Sequence, residues 1–345
     1  MKIVLGMSGG VDSAAAAYLL EQAGHTVTGV TLVMYPEVKP DIAGAEETAQ
    51  RLGISHTVLD CSELFEKNVL EHFARAYRNG ETPNPCIICN PTVKFAALLE
   101  YMTRIGYDKI ATGHYADVSI CSADGRTLLL RGKDHQKDQS YMLYRLSQAQ
   151  LSHTIFPLAH LNKQEIRALA EEQGLLPSIP KDSMDICFLP DGDYASYLER
   201  RYGFPPMQGD FLLSDGTKVG SHSGQWRYTV GQRKGLGLSC GYPVYVTDKD
   251  AAQNLVYVGR EDELLAVECV LRDCNWISDP EDPNALTAKV RYSRNEAAVI
   301  LERISDQKAK LRFDTPQRAI TRGQSAVIYE GERVIGGGFI EQVIR

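Results

Sequence analysis

The chain has 345 residues, 43% of them apolar and 23% charged, with a formal net charge of −7. That length exceeds one typical domain, and the balance is that of a soluble globular protein rather than a disordered or fibrous one. No apolar run approaches the roughly 20 residues of a membrane span, no targeting segment stands out, and eight scattered cysteines do not make a secreted disulfide framework, so a reducing cytoplasm is expected. In chain order, an apolar strand at 3–7 runs through Gly6 and Met7 into Ser8-Gly9-Gly10-Val11-Asp12-Ser13, and an Ala-rich helix follows at 11–22. Glycines let the backbone turn tightly and approach a ligand. The free N–H groups and dipole of the helix start attract phosphate. No Lys-Ser/Thr pair closes a GxxxxGK[ST] loop, which excludes the phosphate loop of kinases and GTPases. The plain alternative is a Ser/Gly turn in which Asp12 or Ser13 caps the helix.

In this strand–turn–helix setting the hexapeptide resembles the PP-loop of ATP pyrophosphatases, which cleave ATP between its α and β phosphates. Further strands at 27–34, 55–59 and 109–112 alternate with helices at 41–51, 62–78 and 92–104. That alternation predicts a parallel sheet covered by helices, with ligands at the carboxyl ends of its strands. A last helix at 163–173 is announced by Asn162 and Glu165 in capping spacing. From about Phe204 short alternating strands and Gly/Pro turns take over, at 288–292, 298–304, 310–314, 324–329 and 333–340. The expected fold class is α/β: a parallel-sheet domain at 1–203, a small β-rich domain at 204–260 and a C-terminal β-barrel at 261–345.

The acidic total argues against a nucleic-acid partner until its distribution is seen. Residues 261–282 carry eight acids and one base, whereas residues 287–324 carry nine Lys/Arg against four acids. Phosphate contacts follow local basic surface, although a charge run alone is more often a solvated face. Thiols form the other constellation. Cys86 and Cys89 stand as a CxxC in the Pro-rich stretch 82–90, just before Lys94 and Phe95, and Cys187 lies in Lys181-Asp182-Ser183-Met184-Asp185-Ile186-Cys187-Phe188. One CxxC is compatible with zinc, redox chemistry or packing, and no fourth zinc ligand is in sight. Cys61, Cys121, Cys240, Cys269 and Cys274 have no motif around them and read as packing residues.

At this point the strings TPNPCIICNPTVKF, ATGHYA, KDQSYML, KDSMDICF, YTVGQRKGLGL, NLVYVG, VRYS and GQSAVIYEGERVIGGG fall in the order found in the tRNA-specific 2-thiouridylases. The chain resembles that MnmA (TrmU) family from end to end. The resemblance implies an enzyme that uses ATP to exchange the C2 oxygen of wobble uridine 34 for sulfur in tRNAs for Lys, Glu and Gln, releasing AMP and pyrophosphate. It implies that Gly6, Met7, Ser8, Gly9, Gly10, Val11, Asp12 and Ser13 hold ATP with Mg²⁺, that Asp12 serves the catalysed step, and that Leu32 and Gly113 border the nucleotide. It further implies tRNA contacts at Asn84, Pro85, His114, Lys137, Asp138, Gln139, Arg291, Tyr292 and Gln324. Cys187 matches the persulfide carrier and Cys89 the thiol that attacks it, ending in a Cys89–Cys187 disulfide. Such chemistry calls for accessible thiols of depressed pKa, with Lys94 and Lys181 as sources of positive potential. The sulfur comes from a donor protein or from sulfide, and neither DNA nor a membrane is expected as a partner.

Two features depart from the family pattern. Cys86 stands where many members have Asp, and three thiols resemble the ligand set of thiolation enzymes that hold a [4Fe–4S] cluster, so Cys86, Cys89 and Cys187 are metal-ligand candidates too. The stretch between Met34 and Ala45 is shorter than usual. Two rival readings are a PP-loop amidotransferase or ligase, such as an asparagine, GMP or NAD synthetase, and a non-catalytic RNA- or metal-binding protein. The first gives the three thiols no role, and the second leaves the glycine turn unexplained.

Overall fold

A computed structural model describes residues 1–38, 40–176, 186–292 and 296–345. The apolar runs near the N-terminus become β1 (Lys2–Gly6), β2 (Thr26–Val33), β3 (Ser55–Asp60) and β4 (Lys109–Thr112). With the short strand Thr154–Ile155 they form one parallel sheet in the order β3-β2-β1-β4 and then that short strand. Ile3, Val4 and Leu5 are fully buried because helices cover both faces of the sheet. Small side chains at Ala14 to Ala17 let α1 (Val11–Gln22) lie close against it. The chain leaves β1 toward β2 on one side, while β4 pairs on the other. The gap between the carboxyl ends of β1 and β4 is therefore a topological switch point, where ligands bind in sheets of this kind.

Strands Gly209–Leu212, Lys218–His222, Tyr245–Asp250 and Leu255–Gly259 form a second, four-stranded sheet. Six later strands, from Leu265–Trp276 to Arg333–Ile344, pair in the spatial order first, fourth, third, second, fifth, sixth, and they close into a barrel because the first and the last are also hydrogen-bonded. That closed barrel and the parallel-sheet unit bear out the expected fold class. No helix among the described residues is long and apolar enough to cross a membrane.

The barrel is fused to the first sheet rather than tethered to it. One hydrophobic cluster joins Val4, Ile110, Tyr141 and Tyr144 to Val327, Tyr329 and Phe339 of the barrel. The buried Tyr141 hydroxyl donates to the Ser325 carbonyl at 2.8 Å, and the Tyr144 hydroxyl meets Ser325 Oγ at 2.9 Å. A hairpin of Ala116–Ile120 and Thr127–Arg131, absent from the sequence reading, reaches across to pair with the last barrel strand.

Two helices differ from expectation. The helix expected at 92–104 starts at α2 (Pro85–Cys89) and passes through a π-helical turn, Asn90–Lys94, into α3 (Phe95–Ile105). The CxxC thus sits on a helix, capped by the Asn84 side chain accepting from the Cys86 N–H at 3.1 Å, with Pro85 in the first position. The helix expected at 62–78 likewise contains a π turn, Glu66–Leu70.

Candidate active site

Gly9 adopts φ +79°, and a Cβ on it would stand 2.4 Å from the Asp41 carbonyl oxygen. Only glycine fits there. Ser13 Oγ accepts from the Ser8 N–H at 3.2 Å and donates to the Gly10 carbonyl at 2.9 Å, which fixes the turn. Gly10 precedes α1 without a side-chain cap, so the first N–H groups of that helix stay available to an anion. Asp12 Oδ1 takes a bond from Lys163 Nζ at 2.6 Å and another from the Tyr115 hydroxyl at 2.7 Å. Lys163 opens α4 (Lys163–Glu172), whose Asn162–Glu165 capping box forms as the sequence anticipates. Across the switch point Gly113 follows β4, and a Cβ there would meet the Asp12 and Ser13 backbone at 3.1–3.3 Å.

This turn fits a triphosphate, with bare N–H groups, a glycine-shaped cradle and a cation at its rim. It also fits Mg²⁺, because both bonds to Asp12 fall on Oδ1 and, among the described residues, Oδ2 accepts none.

The thiols gather around Lys94, whose charge also reaches His114 just past the carboxyl end of β4. Pro91 lacks an N–H, so the α-helical bond to the Ile87 carbonyl cannot form, and the ladder widens into the π turn 90–94. Five residues of α-helix would set Lys94 far round the axis from Cys89, whereas a π turn returns residue i+5 to the face of residue i. The Lys94 ammonium accordingly acts on Cys86, Cys89 and Cys187 together. Burial lowers its pKa and the three sulfurs outweigh that, for a net rise.

Cys89 and Cys187 are raised, not depressed. Cys89 is buried against Phe65, Val93 and Phe188, and desolvation pushes it up to about 12 although Lys94 pulls the other way. Its Sγ faces Met34 Sδ at 3.6 Å. Cys187 is raised by the same cause, even though the residue is exposed. In this arrangement both are neutral thiols, which corrects the expectation of low-pKa cysteines. Lys181 and the stretch Lys181 to Asp185 lie outside the described residues.

His114 bridges the two halves. It follows Gly113, its Nδ1 meets Thr112 Oγ1 at 2.8 Å, and its ring packs beside Phe95 and Phe156. Burial, reinforced by the Lys94 charge, lowers its pKa to about 3, so the imidazole is neutral.

A family model described as tRNA methyl transferase HUP domain matches residues 1–191. Models described as tRNA methyl transferase PRC-barrel domain and aminomethyltransferase beta-barrel domain match 196–260 and 266–340. The tRNA-specific 2-thiouridylase MnmA of Acidithiobacillus ferrooxidans is 46% identical over 99% of this chain and 98% of its own length. The chain belongs to the tRNA-specific 2-thiouridylase MnmA family. MnmA 1 of Caldanaerobacter subterraneus is 43% identical over 100% of this chain and 99% of its own, and MnmA of Treponema denticola is 41% identical over the same shares. A solved 4-thiouridine synthetase–RNA complex with bound ATP overlaps 58% of this chain and 50% of its own at a TM-score of 0.39 and 17% identity, too distant a likeness to bear on function.

The residues expected from the MnmA resemblance divide into those that face the site and those that shape it. Leu32 packs between the two core clusters at the end of β2. Tyr292 is exposed and stands 6.0 Å from the Tyr141 ring centroid. Lys137 is exposed as well. Asp138 is 3% exposed. Its carboxylate accepts from the Ser140 hydroxyl at 2.8 Å and from the Ser140 and Gly132 N–H groups, so it braces this loop from behind instead of facing solvent. Gln139 Oε1 accepts from the Tyr115 N–H at 3.0 Å. Pro85 is buried as the first helical residue. Arg291 donates to the Val230 carbonyl at 3.0 Å and to Thr321 Oγ1. Gln324 donates to the Thr82 carbonyl at 2.7 Å, and the Thr82 N–H returns a bond to the Arg322 carbonyl at 2.9 Å. The barrel thereby holds the segment that leads into Cys86.

Cys86, Cys89 and Cys187 share the field of Lys94 but differ in exposure. Among the described residues no three His, Cys, Asp or Glu side chains stand together as a metal site. Cys89 points into the aromatic cluster around Phe188, while Cys187 lies at the surface. Sequence reasoning missed Lys163 and Tyr115, for which no local motif signals a partner about 150 or 100 residues away.

Proposed function

We propose that this chain is a tRNA-uridine 2-sulfurtransferase that adenylates the C2 oxygen of wobble uridine 34 and then replaces it with sulfur. The observation that carries this reading is the meeting, around Lys94 and His114, of a phosphate-binding turn and three thiols. A ring carbonyl oxygen is a poor leaving group. Attack of that oxygen on the α-phosphorus of ATP expels pyrophosphate and converts it to a good one, AMP. The N–H groups at the start of α1 and the Lys163 ammonium balance the charge of the departing pyrophosphate. Mg²⁺, held through Asp12 Oδ2, would supply further neutralisation of the phosphates. The neutral His114 supplies a hydrogen-bonding edge to the base and adds no charge to the site. A base stacked in an RNA helix cannot reach either half, so the uridine must leave its stack, and the exposed Tyr292 ring offers it a stacking surface.

Sulfur exchange then uses two thiols. Cys187, exposed, accepts the donor's sulfur as a persulfide, whose terminal sulfur attacks C2 as AMP departs. Cys89 attacks the inner sulfur, the S–S bond breaks, the outer sulfur stays on the base, and a Cys89–Cys187 disulfide remains for a thiol reductant to reopen. Cys89 is stored as a protonated, shielded thiol, so its attack follows a movement that brings it out toward Lys94. Methyl transfer, named in two of the matching domain descriptions, has use for neither an ATP-splitting turn nor paired thiols.

With Cys187→Ser we expect tRNA binding and tRNA-dependent pyrophosphate release to persist while 2-thiouridine disappears from the nucleoside digest. A Cys187→Ser protein that still thiolates would overturn the sulfur route. Iron and inorganic sulfide bound stoichiometrically after anaerobic purification would contradict it as well.

A further inference from the structure

We propose that Arg233 and Lys234 form a preshaped finger that grips the phosphodiester backbone of the RNA substrate, beyond the residues that face the reacting base. The inference rests on the RNA-modifying function above. The string YTVGQRKGLGL matches the family, but nothing in the adenylation or sulfur chemistry uses it.

The loop is built to present these two cations. Val230 and Leu236 are 7% and 8% exposed and anchor its ends in the core of the middle sheet. Between them Gly231 and Gly235 take φ +88° and +77°, and Gly237 follows at +68°, conformations that L-residues avoid. The Gln232 side chain ties the loop across its middle, accepting from the Thr229 N–H at 3.1 Å and donating to the Lys234 carbonyl at 3.0 Å. The conformational entropy of the loop is thus spent on folding, before any ligand arrives.

At the tip Arg233 and Lys234 are both exposed, and among the described residues neither pairs with a carboxylate. Adjacent like charges on a rigid loop repel unless an anion joins them. The loop also lies where an RNA would pass. Its Val230 carbonyl accepts from Arg291, and Gly231 packs against Ala319 of the barrel, with 3.1 Å from a Cβ built there to that side chain. Tyr292, next to Arg291, is within electrostatic reach of Cys86. Three or four residues of chain span at most about 14 Å, so the finger stands within roughly one nucleotide step or two of the Arg291–Tyr292 surface.

The chemistry selects the partner. Two cations on an open loop enclose no small anion and offer no aromatic face for a base, so they suit the repeating charge of a backbone. The test is tRNA affinity of the full-length enzyme as a function of salt. Reversing both charges, R233E/K234E, should weaken binding at least tenfold near physiological salt and lower the log–log salt slope by about 1.5 to 2. The neutral pair R233Q/K234Q should lower the slope by a similar amount with a smaller loss, whereas R233K/K234R should keep the wild-type slope. If wild-type enzyme binds tRNA and both charge-removing pairs bind it with unchanged affinity and slope, the finger is overturned and the functional reading stands. If wild-type enzyme shows no affinity for tRNA, both fall.

Discussion

At the scale of single residues, the site is organised by cations that stand between chemically different partners. Lys163 satisfies Asp12 at 2.6 Å and is 40% exposed at its side chain, so it can turn to a phosphate while Asp12 turns to a metal. A charge-assisted hydrogen bond of this kind contributes about 1.5–3 kcal/mol, or roughly 10- to 100-fold in affinity. Lys163→Met should therefore raise the Kd for ATP, read by equilibrium binding without tRNA, by about that factor, and Lys163→Arg should recover part of it. An unchanged Kd would show that the lysine serves only to hold Asp12. None of this was legible in the sequence, because ion pairs between distant segments leave no periodic or local trace. The glycine turn was legible, because its residues are consecutive and each is demanded by local backbone geometry.

Among the elements, the helix carrying the CxxC decides the chemistry. The sequence marks a thiol pair before a helix, yet it hides that Asn84 and Pro85 start the helix one turn earlier. Turn chemistry and N-capping use the same residue types, and only the Asn84 bond to the Cys86 N–H tells them apart. The π turn is also hidden, since Pro inside a helical pattern more often signals an end. Pro91→Ala supplies the missing N–H and removes the ring clash, so the ladder can close to α geometry and rotate Lys94 away from Cys89. The expected result is a several-fold drop in thiolation rate with no fall in melting temperature. A variant with wild-type rate would mean that the wide turn is incidental to the placement of Lys94.

For the molecule as a whole, the shared core makes the barrel part of the active site. Arg272 bonds Glu81 at 2.9 Å and Gln324 bonds Thr82, so strands late in the chain fix the approach to Cys86. The barrel was foreseeable from short alternating strands and its basic stretch, whereas its fusion to the first sheet through Tyr141 and Tyr144 was not, because both lie in a segment without strand or helix periodicity. Two half-buried histidines give this assembly a pH signature. His72 is lowered to about 4 by burial and by Arg75, Arg272 and Arg145, and His114 to about 3 by burial and Lys94. An unfolded chain protonates histidine near 6.5. Below that value the unfolded state binds more protons than the folded one, so stability is full above it and falls as pH drops toward 4. Melting temperature should decline between pH 7 and 5, and His72→Gln should flatten that decline.

In the proposed reaction one site spends ATP to place sulfur on a tRNA uridine. The most direct measurement incubates the reduced enzyme with unmodified tRNA, ATP, Mg²⁺ and a persulfide donor, then quantifies 2-thiouridine by mass spectrometry alongside pyrophosphate. Thiolated nucleoside and pyrophosphate formed in equal amounts, both dependent on tRNA and ATP, are expected. Pyrophosphate without 2-thiouridine, or neither product, would contradict the assignment.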